Sequence, residues 1–301
     1  MQQRKPMCFE TQRKLVGYAF LIPIIVMLGI FMFYPIVKSV IMSFTNWSGM
    51  TDEYKWVGLK NYIKIFTDMP EYWKAMRVNI KYAILATTIQ TALGFLLAVM
   101  LINMKPRWQN FYKVALYLPV ILPAAAISVL WRYIYTPDYG LINQMLRALG
   151  LDSLTRAWTA DNATALGSVI FTNTWRYAGF TMVLYYVAML DIPQEVMESA
   201  RVDGANRWHL IRYFYFPLTR GATEVNFILS ITGCLRAFDI FYLLTAGGPG
   251  TNTKVVSMWI METAFQSYKF GRALAMSLVL FAIVMITMVI FRFILAPREK
   301  E

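Results

Sequence analysis

Charge is scarce in this chain: Asp, Glu, Lys and Arg make up 15% of its 301 residues, against 58% for hydrophobic side chains. Soluble domains carry about 25% charged and about 45–50% apolar residues, so the deficit excludes an ordinary soluble domain and points to a bilayer. Histidine occurs once, at His209, which excludes a histidine-cluster metal site. Cysteine occurs twice, as Cys8 in a basic N-terminal segment and Cys234 inside an apolar run. The two are expected at different depths, which argues against a disulfide, and no metal-ligand spacing exists. There is no GxxxxGK[ST] loop to cradle nucleotide phosphates, no HExxH, no GxSxG and no carboxylate pair beside a histidine. The chain lacks the parts of a catalyst, so enzyme is a poor reading and no cofactor or metal is expected on it. A net charge of +12 raises nucleic acid as a partner, but Lys and Arg lie between apolar runs and form no basic face. Membrane-flanking charge accounts for them, and nucleic acid is not expected.

Long apolar runs are what the sequence has instead. Six are near the roughly 20 residues that cross about 30 Å of hydrocarbon. They cover residues 15–37, 82–104, 114–131, 163–190, 222–246 and 272–293. The first follows Arg4, Lys5, Arg13 and Lys14 and is too long for a signal-peptide core, so it is expected to remain as an anchor. The expected fold is therefore an all-α integral membrane domain of six transmembrane helices, one domain over residues 1–301.

Basic residues in short loops set the orientation. Placing the N-terminus inside puts Lys105, Arg107 and Lys113, then Arg201, Arg207, Arg212 and Arg220, then Arg292, Arg298 and Lys300 on the inner side. The outer segments also hold lysines and arginines, most of them accompanied by acids. Both termini are expected in the cytoplasm. Two outer segments show internal order, Trp56–Asp68 and Gly140–Leu151; the second spaces Leu141, Met145, Leu146 and Leu149 along one helical face. Short helices lying on the membrane surface are the plain reading of both. The third outer segment, Thr245–Thr253, reads TAGGPGTNT, and its Gly247, Gly248, Pro249 and Gly250 force a tight non-helical turn.

Asp191–Pro217 is the longest inner interruption. Asp191 suits an N-cap, Pro193 a first turn and Gln194 the reciprocal capping position, so a helix is expected to begin there. Val196, Met197 and Ala200 share one face, and Gly204 can end the helix in the left-handed conformation. A second short helix is expected to group Trp208, Ile211 and Tyr215 before Pro217 restarts the chain as the fifth run. Two short helices at a bend make a compact knob. On the residues alone, a mere connector between spans is as good a reading as a working part.

The run Glu198-Ser199-Ala200, three residues, Gly204, nine residues, Phe214-x-Phe216-Pro217 resembles the EAA loop of binding-protein-dependent ABC-transporter permeases. Ser199 for Ala and Phe for Ile and Leu are its departures, and both keep size or apolarity. FLIPIIVMLGIFMFYPIVKSVIMSFTNW, VGLKNY, GLINQMLRALGL and FDIFYLLTAGGPGTNT are similar to the carbohydrate-uptake branch, in particular the maltose-type first permease. The resemblance implies that the knob is a coupling helix docking in a cleft of an ATPase, with Glu198, Ala200, Asp203, Gly204 and Pro217 at that joint. It also implies a bacterial or archaeal cell membrane, a second homologous permease, two ATP-binding cassette subunits that hold ATP and Mg, and an extracytoplasmic solute-binding protein facing Gly247–Gly250. Sugars, polyols and glycerol phosphates are cargo of that branch.

Charges inside the runs carry two readings each. Arg236 and Asp239 stand three apart and could pair with one another. Arg176, beside Trp175, could snorkel to the outer interface. Alternatively they border a polar pathway with Asn173, Tyr177, Tyr185 and Asn226, where aromatic platforms and hydrogen-bonding groups suit a sugar. An ion-coupled secondary carrier is the competing function; Asp239 is its one good coupling carboxylate. A structural or assembly protein is the third reading and leaves the EAA-like spacing unexplained.

Overall fold

The computed structural model describes residues 9–295, so Cys8, Arg4, Lys5, Arg298 and Lys300 lie outside the described residues. In chain order the helices are α1 (Phe9–Leu28), α2 (Tyr34–Ser43), α3 (Lys60–Thr67), α4 (Pro70–Ile102), α5 (Pro106–Ile121), α6 (Ala124–Ile134), α7 (Leu141–Ala148) and α8 (Ala165–Leu190). They continue with α9 (Gln194–Val202), α10 (Arg207–Leu210), α11 (Phe216–Leu218), α12 (Arg220–Leu235), α13 (Asp239–Leu244), α14 (Val256–Met261) and α15 (Phe270–Leu295). The β contact among the described residues is an isolated bridge, Thr45 with Trp56.

Proline explains two local departures from α geometry. A π-helical turn, Gly29–Phe33, links α1 to α2 just before Pro35, and another, Ile211–Tyr215, links α10 to α11 just before Pro217. Proline has no N–H for the preceding turn, and one widened turn absorbs the misfit while the helix carries on.

One compact unit comprises residues up to Asp68 together with Ile260–Leu278. Its organising side chain is Asn61 of α3, which donates to the carbonyls of Ser43 and Thr45, each at 2.8 Å, and so occupies the end of α2. The start of α15 closes on the same turn: the Trp47 and Phe270 rings meet tilted with centroids 5.5 Å apart, and a Cβ on Gly271 would lie 2.1 Å from the Thr45 carbonyl oxygen. The VGLKNY stretch thus forms a plug on the first apolar helix.

The second unit comprises Met69–Trp259 and the chain from Val279 onward. Within it α4 packs along α8 and α12, and α5 packs on α8. Small residues permit the close approaches. A Cβ on Gly94 would meet Thr181 of α8 at 2.3 Å, and one on Gly179 would meet the Leu116 carbonyl oxygen of α5 at 1.9 Å.

Among the described residues three helical stretches are long and apolar enough to cross a membrane, Phe20–Ser43, Pro70–Ile102 and Phe270–Phe293; the bent pair α5–α6 makes a fourth if taken as one span. Two expected spans therefore differ from the sequence reading. Residues 114–131 do not form one rod, because the chain turns by 99° between α5 and α6. Pro123 forces Leu122 out of the helical region, to φ −69° and ψ 140°. Residues 222–246 are likewise split, α12 ending at Leu235 and α13 starting at Asp239. The run 163–190 is helical as α8, yet its buried Ser168, Thr172, Asn173, Thr174 and Thr181 give it a polar face toward its neighbours. In the other direction, α4 begins at Pro70, well before residue 82, because Lys74, Arg77 and Lys81 end lipid compatibility without ending the helix.

The short helix α7 forms as its spacing predicts. Leu141, Met145 and Leu149 are exposed on it, while Asn143 is buried beneath. Asn143 donates to the carbonyls of Pro137 and Arg156 and accepts from the Arg156 amide and the Trp158 indole. Every hydrogen-bonding position of that carboxamide is used, so the apolar face is held outward by design of the polar one.

Candidate functional site

A helix broken in an apolar setting frees backbone carbonyls that need donors. Both breaks in the second unit receive one from a neighbouring helix. Arg176 Nη2 of α8 donates to the Leu122 carbonyl at 3.1 Å, at the α5–α6 bend. Asn79 Nδ2 of α4 donates to the Leu235 carbonyl at 3.0 Å, at the end of α12, and Asn79 Oδ1 accepts from the Val256 amide at 2.8 Å. Between the two breaks lies a cavity of about 680 Å³.

Its wall brings together Asn173, Arg176, Tyr177, Arg236 and Asp239 from the sequence-derived set, with Tyr82, Gln90, Tyr117, Phe180 and Ser230 beside them. Of the alternative readings, the pairing of Arg236 with Asp239 is corrected by the geometry. Arg236 and Asp239 form no ion pair: the helix stops between them, Arg236 Nε instead donates to the Thr232 carbonyl at 3.3 Å, and Asp239 opens α13. Arg176 bends to the α5–α6 break and lies 5.1 Å from the Tyr177 ring centroid, an electrostatic contact with the ring face.

Tyr185 and Asn226 lie outside the cavity wall, in the packing between helices. Tyr185 donates to Thr223 Oγ1 at 2.8 Å. Asn226 accepts from Thr181 Oγ1 at 2.9 Å and donates to Thr91 Oγ1 at 2.8 Å. Gln90, which the sequence reading passed over, belongs to both regions: it lines the cavity and donates to Thr181 Oγ1 at 2.9 Å and Ser230 Oγ at 3.0 Å. A carboxamide in the middle of an uncharged apolar run was the available signal. The wall thus offers aromatic faces, two guanidinium groups, one carboxylate and the two carboxamides of Asn173 and Gln90, groups of the kind that hold a hydroxyl-rich or charged solute.

The Asp191–Pro217 knob is built differently from its expected form at its start and as expected at its turn. Asp191 is the C-terminal cap of α8, with φ −74° and ψ −9°, and Pro193 occupies the N-cap of α9 without a side-chain bond. Gln194 reaches Glu198 rather than the backbone, with Nε2 to Oε1 at 2.5 Å. At the other end Gly204 has φ +84°, the Gly204 amide bonds the Arg201 carbonyl and the Ala205 amide bonds the Ala200 carbonyl. That pair of bonds is the Schellman closure, which needs a left-handed residue at Gly204. Asn206 then caps α10 by accepting from the His209 amide at 2.9 Å.

The knob's apolar side joins the ends of the long helices. Met197, Ala200, Leu210 and Tyr215 share one buried cluster with Ala98, Val99 and Leu101 of α4 and Met182, Tyr186 and Met189 of α8. Ala200 therefore faces inward, and together with Met197 it packs α9 against its own chain. Trp208 is 68% exposed, so it does not group with buried Tyr215 as the spacing suggested; the π turn between them rotates the face. Burial raises the Tyr215 phenol above the ordinary tyrosine value, while the Arg201 guanidinium pulls the other way. Glu198, Asp203, Gly204 and Pro217 are all exposed.

The glycine turn is tied down from both sides. Gly247 and Gly250 have positive φ, and Thr253 Oγ1 donates to the Gly248 carbonyl at 2.6 Å. Lys74 Nζ of α4 donates to Thr251 Oγ1 at 2.9 Å, and Asn252 bonds Asn162.

Residues 90–300 match the family described as the binding-protein-dependent transport system inner membrane component. The chain is 37% identical over 91% of its length to the probable ABC transporter permease protein YurN of Bacillus subtilis, covering 93% of that protein. It is 28% identical to the lactose transport system permease protein LacF of Rhizobium radiobacter, over 95% of each chain. In fold it is similar to a chain of a bacterial alginate ABC transporter crystallised with an alginate pentasaccharide-bound periplasmic protein, at TM-score 0.82 and 22% identity, over 94% of this chain and 95% of that one. Matched over residues 90–300 and 37% identical to a permease over 91% of its length, the chain belongs to the binding-protein-dependent transport system inner membrane components.

Proposed function

We propose that this chain is a permease subunit of an ATP-driven importer for a sugar, in particular an oligosaccharide. Relatives named for lactose, for starch degradation products and for diacetylchitobiose support that cargo class. In this reading the chain crosses the membrane six times, through α1–α2, α4, the bent α5–α6, α8, the broken α12–α13 and α15, with both termini cytoplasmic. A periplasmic or other extracytoplasmic binding protein delivers substrate near the glycine turn, and a second permease completes the pathway. ATP and Mg are held by two cassette subunits.

The observation that carries the proposal is the construction of the knob. Its apolar side is fused to the ends of α4 and α8, while Glu198, Asp203 and Gly204 stay exposed. A partner that grips that exposed side moves the whole joint as a solid piece, since packed cores transmit displacement. Closure of the cassette pair upon ATP binding would then open the cavity outward, and hydrolysis would reset it inward. Binding energy is thereby converted to alternating access, the two states differing in which side of the cavity is open.

Vesicle uptake tests this. Uptake by the reconstituted transporter requires ATP and the cassette subunits and continues after ion gradients are dissipated. Dependence on a proton or sodium gradient, with no need for ATP, would transfer the assignment to a secondary carrier using Asp239.

A further inference from the structure

A second cavity, of about 310 Å³, opens where the knob meets the end of α4. Met100, Asn103 and Met104 form one wall, and Arg207, Ile211 and Tyr215 are on the other. This is the boundary of the long apolar stretch Pro70–Ile102, so the cavity sits at the depth of lipid headgroups. No acidic residue lines it. Among the described residues neither the Arg207 guanidinium nor the Tyr215 hydroxyl has a hydrogen-bond or ion-pair partner, and the amide nitrogen of Asn103 gives one of its two hydrogens to the Val99 carbonyl. Uncommitted donors of Arg207 and Tyr215 therefore stand in a mostly apolar pocket, with Met100 exposed beside them.

We propose that this pocket holds an anionic phospholipid, its phosphate on Arg207 and Tyr215 and the upper part of an acyl chain along Met100 and Met104. The chemistry matches each part. A guanidinium pairs with phosphate through parallel N–H donors, and a basic pocket beside a membrane helix on the loop side is a recurrent headgroup site. Methionine walls adapt to an irregular aliphatic chain. A lipid here touches α4 and the knob together, and so fills the joint that the coupling mechanism moves. The site does not depend on what the main cavity transports.

Photocrosslinking in lipid nanodiscs tests it, using the transporter complex purified from its own membranes. Phosphatidylglycerol carrying a photoreactive acyl chain labels peptides spanning residues 99–104 and 207–215 about fivefold more than the same probe on phosphatidylcholine, the preference expected of one basic residue at an anionic surface. Arg207→Gln reduces the labelling to the phosphatidylcholine level, Arg207→Lys retains part of it, and Met100→Trp, which fills the pocket, removes labelling by both probes. Arg207 is exposed, and co-purification of the partner subunits verifies that each variant assembles. Equal labelling by the two lipids, or Arg207→Gln indistinguishable from the unaltered protein, overturns the proposal. Displacement of the probe by inorganic phosphate also overturns it, because the ligand would then be a soluble anion.

Discussion

Gly204 separates strain from recognition at the scale of one residue. Its φ of +84° disfavours any side chain, yet a Cβ there would meet nothing within 4 Å. Gly204→Ala therefore costs only the left-handed penalty, about 1 kcal/mol, and keeps most of the transport rate. Gly204→Arg projects a long side chain from the exposed side of the knob and abolishes uptake, while the protein still inserts and assembles with its partner permease. Uptake by the arginine variant at the unaltered rate would remove the knob from the coupling path. Asp239 offers the second contrast. Free of Arg236 and facing the cavity, its carboxylate supports no ion pair whose loss could unfold the chain. Asp239→Asn therefore changes transport rate or apparent affinity and leaves membrane abundance unaltered; a fall in abundance alone would give the residue a structural role. The Gly204 turn was legible because only glycine suits that backbone. The fate of Asp239 was not, since a pairing at i and i+3 assumed a continuous helix that the chain breaks.

At the scale of elements, hydropathy predicted where helices lie and failed to predict where they break. The bend between α5 and α6 had a visible cause in Pro123, but the interruption from Arg236 to Phe238 contains neither proline nor glycine. Its cause is tertiary: Asn79, seen in sequence only as the approach to a span, supplies the donor that the freed Leu235 carbonyl needs. Asp191 illustrates the same limit, because a good capping residue lost its expected place once α8 ran to Leu190 and Pro193 set the start of α9. Helix contacts were hidden for a related reason, since a glycine inside an apolar run signals nothing about what lies opposite. Gly179 lies directly against the backbone of α5. Gly179→Val sets side-chain atoms against the Leu116 carbonyl, and the overpacking costs about 1–3 kcal/mol. A fall of several degrees in the unfolding midpoint of the purified protein measures this, and an unchanged midpoint would mean that α5 shifts freely on α8.

For the whole molecule, family membership accounts for the chain's unusual composition. Its scarce charges are spent at helix breaks, on the knob and at the ends of apolar runs, and the main cavity receives Arg176, Arg236 and Asp239. The sequence singled out those three from their cost in lipid. It also added Tyr185 and Asn226, which serve the packing of α4, α8 and α12, because polar side chains that line a pathway and those that join helices have the same signature in one dimension. The proposed orientation is a property of the entire chain and places the glycine turn outside the cell.

Asn79 has a practical consequence for that turn. By bonding both the Leu235 carbonyl and the Val256 amide, a single side chain fixes the two stems from which the intervening segment rises. The segment can then be lengthened without dislodging its ends. Gly250 is exposed at its tip and has no atom within 4 Å of where a Cβ would be. An epitope inserted after Gly250 leaves the chain folded and is stained by antibody on intact cells stripped of any outer envelope; staining only after permeabilisation would reverse the orientation. The same tolerance makes this position an attachment point for a fluorophore or a tether, on a stem that the protein itself keeps clamped.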